Sequence, residues 1–281
     1  MASRPRLGEM LLGIEGLALL RLAFTNDATA RRARVDEIRS LLEGYNKEPD
    51  LTAPLAGPEY DKAEGYALWS QTYDQPLRLF PVEEPIMHEI LGRLPHATVL
   101  DAACGTGRYS DVLGRLGHRV IGVDSSPDML AKARPKVPQA EFHEGDLTAL
   151  PVEDESVDAA VCALALVHLI EIEGAMRELA RVLRPGGRLV ISDVHPFLIL
   201  LGWQAQFRTA DGGAGFMRIH PHLLSDYCAA ALAAGLHVTA CYEPRLTPEA
   251  AVTPAAERFP EANQAAWVGL PGVVIWELEK R

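Results

Sequence analysis

From Thr98 onward the chain alternates short apolar runs with segments of helical period. The runs are 98–101 (TVLD), 119–124 (RVIGVD), 140–144 (AEFHE), 157–163 (VDAAVCA) and 188–194 (RLVISDV). Helical patterns fill 107–116, 127–134 and 173–183 between them. Apolar runs of this length, bracketed by helices, are strands of the kind buried on both faces. Repeated strand–helix–strand units connect right-handed and build a parallel sheet, so the expected fold class is α/β. A helix over 222–234 and strands over 236–243 and 272–279 complete this half of the chain.

Upstream the texture differs. Residues 10–24 (MLLGIEGLALLRLAF) are apolar and follow Arg4 and Arg6, in the manner of a secretion signal. Glu15 and Arg21 interrupt the run, whereas a secretory core is free of charge. It is also shorter than the ~20 apolar residues needed to span a bilayer. Leu11, Ile14, Ala18 and Leu22 at helical spacing predict an amphipathic helix instead. A second helix is expected over 28–45, with Val35, Ile38, Leu41, Leu42 and Tyr45 as its apolar stripe. Residues 49–58 (PDLTAPLAGP) carry the composition of a linker. From Tyr60 to Leu94 follow aromatic-rich helical segments, broken at Pro76, Pro81 and Pro85. The expected division is a helical cap over 1–95 and a core domain over 96–281.

Charge and cysteine usage exclude several functions. The 281 residues hold 27 Lys and Arg against 38 Asp and Glu, a net charge of −11. Nucleic-acid affinity rests on neutralising phosphates, so RNA or DNA is a poor partner for such a chain. The four cysteines lie far apart with no CxxC pair. They suit reduced, mostly packed thiols of a cytosolic protein better than a zinc site or a disulfide framework. No metal-ligand spacing and no serine–histidine–acid motif is present. The DGGAG stretch at 211–215 lacks the Lys-Ser/Thr of a phosphate loop and is expected to be a mobile loop.

The chemistry sits at the strand ends. In VLDAACGTGRYS (99–110), Gly105 and Gly107 occupy the turn between a strand and a helix, where glycine permits positive φ and close approach of a ligand. The helix beyond offers free N–H groups. Asp124 ends the second strand about 20 residues on, the spacing at which a carboxylate accepts the ribose hydroxyls of an adenosine. Ser126, followed by Pro127, is the better cap for the next helix, which frees Asp124 for a ligand. Asp146 ends the third strand in EGDLTALP. An NAD-dependent oxidoreductase and a transferase with a nucleoside cofactor both fit to this point. Three features separate them, one being Asp146 itself, placed beside the crevice where an adenine amino group could be read. Ser110 stands where the dinucleotide fingerprint has a third Gly or Ala for close helix packing, and Arg108 and Tyr109 crowd the turn. Asp101, beside the loop, would repel a pyrophosphate and suits a sulfonium or ammonium.

This series resembles the class I S-adenosylmethionine-dependent methyltransferases of the small-molecule type. DAACGTG (101–107), the Asp124 strand end, GDLTALP (145–151), VDAAVCALALVHL (157–169) and RVLRPGGRLVISD (181–193) stand in that family's order and spacing. The resemblance covers about residues 60 to 281, and the first fifty residues resemble the family's helical lids. It implies a Rossmann-like, seven-stranded, mostly parallel sheet of order 3-2-1-4-5-7-6, with the last strand antiparallel. It implies S-adenosylmethionine as cofactor and S-adenosylhomocysteine as product. Asp101, Ala103, Gly105 and Gly107 would surround the methionine and ribose. Asp124 would bind the ribose hydroxyls, and Ser125 and Met129 would flank the adenine. Asp146 and Leu147 would meet the adenine edge. Ala163 and His168 would line the methyl-transfer chamber, and Tyr73, with Trp69 one turn earlier, would close over the cofactor. The Pro185-Gly186-Gly187 turn would be structural.

A sulfonium methyl is already activated, so a general base is needed only when the acceptor must lose a proton. His168, His195, His220 and His222 are the base candidates, with His195 expected to project from its strand end toward the methyl. Tyr60, Tyr66, Trp69, Tyr73, Leu77 and Phe80, with Trp203, Phe207 and Phe216, suggest an apolar, aromatic acceptor such as an indole-type specialised metabolite. A small molecule is therefore the expected partner, with neither nucleic acid nor membrane. The 10–24 helix leaves apolar surface that a second copy could cover in a homodimer. A non-catalytic S-adenosylmethionine-binding module is the remaining alternative.

Overall fold

The computed structural model describes residues 5–55 and 57–281. Its strands are β1 (Glu59–Tyr60), β2 (Thr98–Ala102), β3 (Arg119–Asp124), β4 (Glu141–Glu144), β5 (Val157–Ala163), β6 (Leu183–Val194), β7 (Ala205–Arg208), β8 (Ala214–Met217), β9 (Leu236–Tyr242) and β10 (Val273–Lys280). Its α-helices are α1 (Leu7–Leu22), α2 (Ala28–Gly44), α3 (Lys62–Trp69), α4 (Phe80–Gly92), α5 (Arg108–Arg115), α6 (Pro127–Lys136), α7 (Glu173–Val182), α8 (Pro196–Leu200), α9 (Leu224–Ala233) and α10 (Pro260–Trp267). Contacts divide the chain into two compact units. One runs up to Pro58 and takes in Arg245–Leu270; the other joins Glu59–Pro244 to Pro271–Arg281. Position 95, where the sequence texture changes, lies within the second.

In the first unit α1 packs on α2 and α10. Leu11, Ile14 and Ala18 are buried as expected. The two charges that interrupt α1 are both used inside this unit. Glu15 lies 3.0 Å from Arg34 of α2, and both side chains are sealed from solvent. Arg21 donates to the carbonyls of Ala265, Ala266 and Val268 at 2.7–3.0 Å, satisfying the C-terminus of α10 with a cation where the helix dipole favours one. The stripe expected on α2 is displaced by one position. Leu41 is buried, but Val35 and Leu42 are exposed, because Arg34 takes the inward place beside Glu15. Within the segment expected as a linker, Pro49–Thr52 forms a 3₁₀ turn whose Leu51 is wholly buried, and the first unit's N-terminal stretch ends at Pro58.

The second unit is built on a seven-stranded sheet of order β4-β3-β2-β5-β6-β10-β9. β2, β3, β4, β5 and β6 pair in parallel, whereas β10 runs antiparallel to both β6 and β9. This is the expected order and polarity. One face buries Met176 and Leu179 of α7 and Tyr227, Ala230 and Ala231 of α9 against Leu100, Cys162, Leu189, Ile191 and Trp276. Leu130 and Ala133 of α6 form a second cluster with Cys104, Val137 and Phe142. Each large aliphatic side chain so buried contributes roughly 1.5–3 kcal/mol.

Two expectations change here. α4 continues through Pro81 and Pro85. Pro81 lies in the first turn, where no intrahelical N–H is lost, so Pro85 removes only one helical bond. The 211–215 stretch is the tip of a β7–β8 hairpin, closed by the Thr209 amide donating to the Gly213 carbonyl at 3.0 Å. With β1 the hairpin forms a separate three-stranded sheet, order β1-β8-β7.

Candidate functional site

β2 neighbours β3 on one side and β5 on the other, so the chain reverses its direction of winding there. Ligands of open α/β sheets bind at such a switch, beyond the carboxyl ends of the strands. A cleft of about 640 Å³ opens at that point, lined among others by Tyr73, Ala103, Gly105, Asp124, Ser125, Met129, Asp146, Leu147, Ala163 and His168. Ala103 (φ 57) and Leu164 (φ 54) hold left-handed backbone at its wall. Non-glycine residues rarely do so, and such strain concentrates at functional sites.

The two loop glycines do different work. Gly105 has φ 54, and a Cβ there would meet nothing within 4 Å, so this backbone faces open cleft. Gly107 has φ 81 and caps α5, with Ala133 so close that a Cβ would stand 3.2 Å from its methyl. Gly107 does not line the cleft. Its requirement is packing of the turn on α6.

Asp124 Oδ2 accepts from the Gly105 amide and Oδ1 from the Ser126 amide, both at 2.8 Å. Burial raises its pKa, and these N–H groups act against that rise. Each oxygen keeps lone-pair capacity for a further donor. Ser126 caps α6 by accepting from the Met129 amide at 3.3 Å, as its place before Pro127 suggests. Asp101 lies behind the cleft wall. It is buried, accepts from the Ser110 hydroxyl at 2.6 Å, and is pushed up to about 6 by burial. Ser110 thus serves Asp101. Asp146 is half-open: Oδ1 accepts from the amide and hydroxyl of Thr148, and Oδ2 stands 3.5 Å from Lys62. The Thr148 amide leads the effects that lower its pKa.

A second cavity of about 750 Å³ adjoins the first, and the two share Tyr66, Tyr73, Leu164 and His168. Trp69, Leu77, Phe80, Val167, Val194, Trp203 and Ile219 supply much of its apolar wall, with Arg78, Gln204 and Gln206 adding polar groups. Trp69 meets Tyr73 edge-on at 4.9 Å and stacks on Phe207 at 5.5 Å. Tyr60, Phe207 and Phe216, expected in the same wall, do not line the cavity. Tyr60 and Phe207 pack behind it, around Met217.

The histidines separate clearly. His168 lines both cavities; burial depresses its pKa to about 4, and Tyr66 Oη lies 2.7 Å from its Nε2. His195 lines neither cavity and does not project toward the cleft. Its Nδ1 accepts from the Phe197 amide at 3.2 Å, capping α8, and its Nε2 donates to Glu243 at 2.9 Å. His222 is also outside both, its Nε2 donating to the Leu169 carbonyl at 2.9 Å. His220 is tied through its amide to the Val167 carbonyl at 2.7 Å.

Sequence reasoning missed Lys62, Leu164 and Asp74. Asp74 accepts from Thr106 at 2.5 Å and Lys136 at 2.7 Å, binding the segment after α3 to the glycine turn. The Tyr73-Asp74 pair was the available signal, and only its aromatic member was singled out. Among the described residues no group of three or more His, Cys, Asp or Glu is placed to hold a metal ion. No helix among them is long and apolar enough to cross a membrane.

Residues 100–191 match the family model described as a methyltransferase domain. Demethylmenaquinone methyltransferase of Renibacterium salmoninarum is 32% identical over 155 residues, covering 54% of this chain and 62% of that protein. The malonyl-[acyl-carrier protein] O-methyltransferase of Pectobacterium atrosepticum is 34% identical over 131 residues, 46% of this chain and 50% of that protein. This chain therefore spans only about half to three-fifths of these relatives. An S-adenosylmethionine-dependent methyltransferase from Mesorhizobium loti shares the fold at TM-score 0.56 and 21% identity, covering 71% of this chain and 98% of that one. Residues 100–191 thus match a methyltransferase domain, and the sheet unit around them has the fold of the Mesorhizobium loti S-adenosylmethionine-dependent methyltransferase.

Proposed function

We propose that this protein transfers the methyl group of S-adenosylmethionine to a small acceptor with an apolar, aromatic body. The observation that carries this reading is the junction of two unlike cavities. The first is lined by carboxylates and open backbone, and the second by aromatic and aliphatic side chains; they meet at Tyr66, Tyr73, Leu164 and His168. The first suits a nucleoside carrying a cationic end. Asp124 would accept the ribose hydroxyls, and the exposed backbone at Gly105 leaves room for the methionine part. Met129, Ser125 and Leu147 would enclose the adenine, with Asp146 at its edge. Asp101 would hold the turn through Ser110 from behind. The bound cofactor supplies an electrophilic methyl and leaves as S-adenosylhomocysteine.

The remaining work belongs to this chain. The aromatic wall at Trp69, Tyr73 and Trp203 would align the acceptor, and holding reactants at near-attack distance supplies several kcal/mol. Tyr73 and the α3 segment would keep water from the junction. His168, uncharged at neutral pH, is the histidine positioned to meet an acceptor. Demethylmenaquinone and an acyl-carrier-bound malonyl group, the acceptors named for the two relatives, differ so widely that the acceptor must be read from the cavity itself. Incubation with methyl-labelled S-adenosylmethionine and a panel of indoles, phenols and amines tests the reading. Label should pass to an aromatic member of the panel. Tight S-adenosylmethionine binding without transfer to any would favour a binding module, and binding of NAD in its place would favour an oxidoreductase.

A further inference from the structure

We infer that Tyr66 and His168 form a hydrogen-bonding station for a hydroxyl group, and that the second cavity takes uncharged, planar aromatic molecules carrying one. The inference rests on the transferase reading and extends it to the class of acceptor. Tyr66 Oη and His168 Nε2 are 2.7 Å apart, their rings meet at 68°, and both residues line both cavities. The pair therefore stands at the seam where an acceptor would face the methyl.

One hydrogen lies between the two atoms. If the phenol donates to Nε2, the phenol oxygen keeps lone pairs that accept from a ligand. If Nε2 donates to the phenol, the phenol's own hydrogen is left to donate. A hydroxyl both donates and accepts, so it satisfies either tautomer. A bare ring satisfies neither, and a ring N–H satisfies only one. Charge narrows the class further. In a chain of net charge −11, no Asp or Glu among the described residues lines the second cavity, and Arg78 is its one formal charge. An ammonium entering it would lose its hydration without a counter-charge, which is costly. Tyr66 is stacked on Trp69 at 6.0 Å and 9° between planes, so the station is held beside a flat apolar wall that a planar ring would continue.

The test uses 2-naphthol and naphthalene as a matched pair, measured by equilibrium dialysis against full-length protein saturated with S-adenosylhomocysteine. The wild type should bind 2-naphthol about tenfold more tightly than naphthalene, the span of one well-placed hydrogen bond. The Tyr66→Phe/His168→Leu double variant, which keeps the ring at 66 and removes both polar atoms of the station, should bring 2-naphthol down to the level of naphthalene. Equal affinities in the wild type, no binding of either compound, or a preference that survives in the double variant would overturn the inference. S-adenosylhomocysteine affinity is measured separately: its absence would fail the transferase reading, whereas the three outcomes above, with that affinity intact, fail the station alone.

Discussion

Both ring nitrogens of His195 are committed, one to the amide that opens α8 and the other to Glu243. Its position after β6 made it a natural candidate for a base. Position alone does not say which way a ring turns, and the Pro196 that follows begins a helix whose first amides need a partner. His195→Ala should therefore cost about 1 kcal/mol of stability, as loss of a helix cap does. Methyl transfer should persist; a fall of ~10²–10⁴-fold, the signature of a lost general base, would return the residue to the chemistry. Asp193, on the same strand, is buried and accepts from Tyr227 at 2.8 Å, and burial pushes it up to about 7. A carboxyl whose pKa is raised on folding stabilises most below its unfolded value of ~4, and that contribution is lost as pH rises through the folded value. Thermal denaturation at pH 5 and pH 8 should show a larger drop in stability for the wild type than for Asp193→Asn. An equal drop in both would show that Asp193 does not titrate in this range.

At the scale of the element, the glycine turn between β2 and α5 separates a packing requirement from a ligand requirement. Gly107→Ala places a methyl against Ala133 in a backbone that L residues enter at a cost of roughly 1–2 kcal/mol. It should lower the melting temperature. Gly105→Ala meets no neighbour, and Ala103 already adopts a similar φ two residues earlier. It should cost less stability but weaken S-adenosylmethionine binding, because its methyl projects into the cleft. The reverse ordering in paired melting and binding measurements would show the roles to be misassigned. The elements legible in the sequence were those with a strong period: β2 to β5 and α5 to α7 fall within two residues of their expected bounds, and β6 ends at its expected residue but begins at Leu183, ahead of the expected Pro185-Gly186-Gly187 turn. Those missed had weak patterns. β7 and β8 are four residues each, flanking a hairpin tip that composition presents as a loop. α10 buries mainly alanines and Trp267, too little to raise a helical stripe.

Across the whole molecule, the order of the seven-stranded sheet and the cleft at its switch point were legible, because strand–helix alternation and strand-end residues are local signals. Chain division was not. Arg245–Leu270 joins the first unit across nearly two hundred residues of sequence, through partners such as Arg21 and the α10 carbonyls that no local pattern pairs. The same reason hid the Tyr66–His168 pair, 102 residues apart, although each residue was singled out by itself. The central claim is that the cleft at the ends of β2 to β5 receives an adenosine through Asp124. Isothermal titration of S-adenosylmethionine into the wild type and Asp124→Ala tests it most directly. The wild type should bind one equivalent, and the variant should bind ~10- to 150-fold more weakly, the worth of hydrogen bonds to a charged acceptor, while its melting curve stays cooperative. Near-equal affinity in the two proteins, or tighter binding of NAD than of S-adenosylmethionine by the wild type, would contradict it.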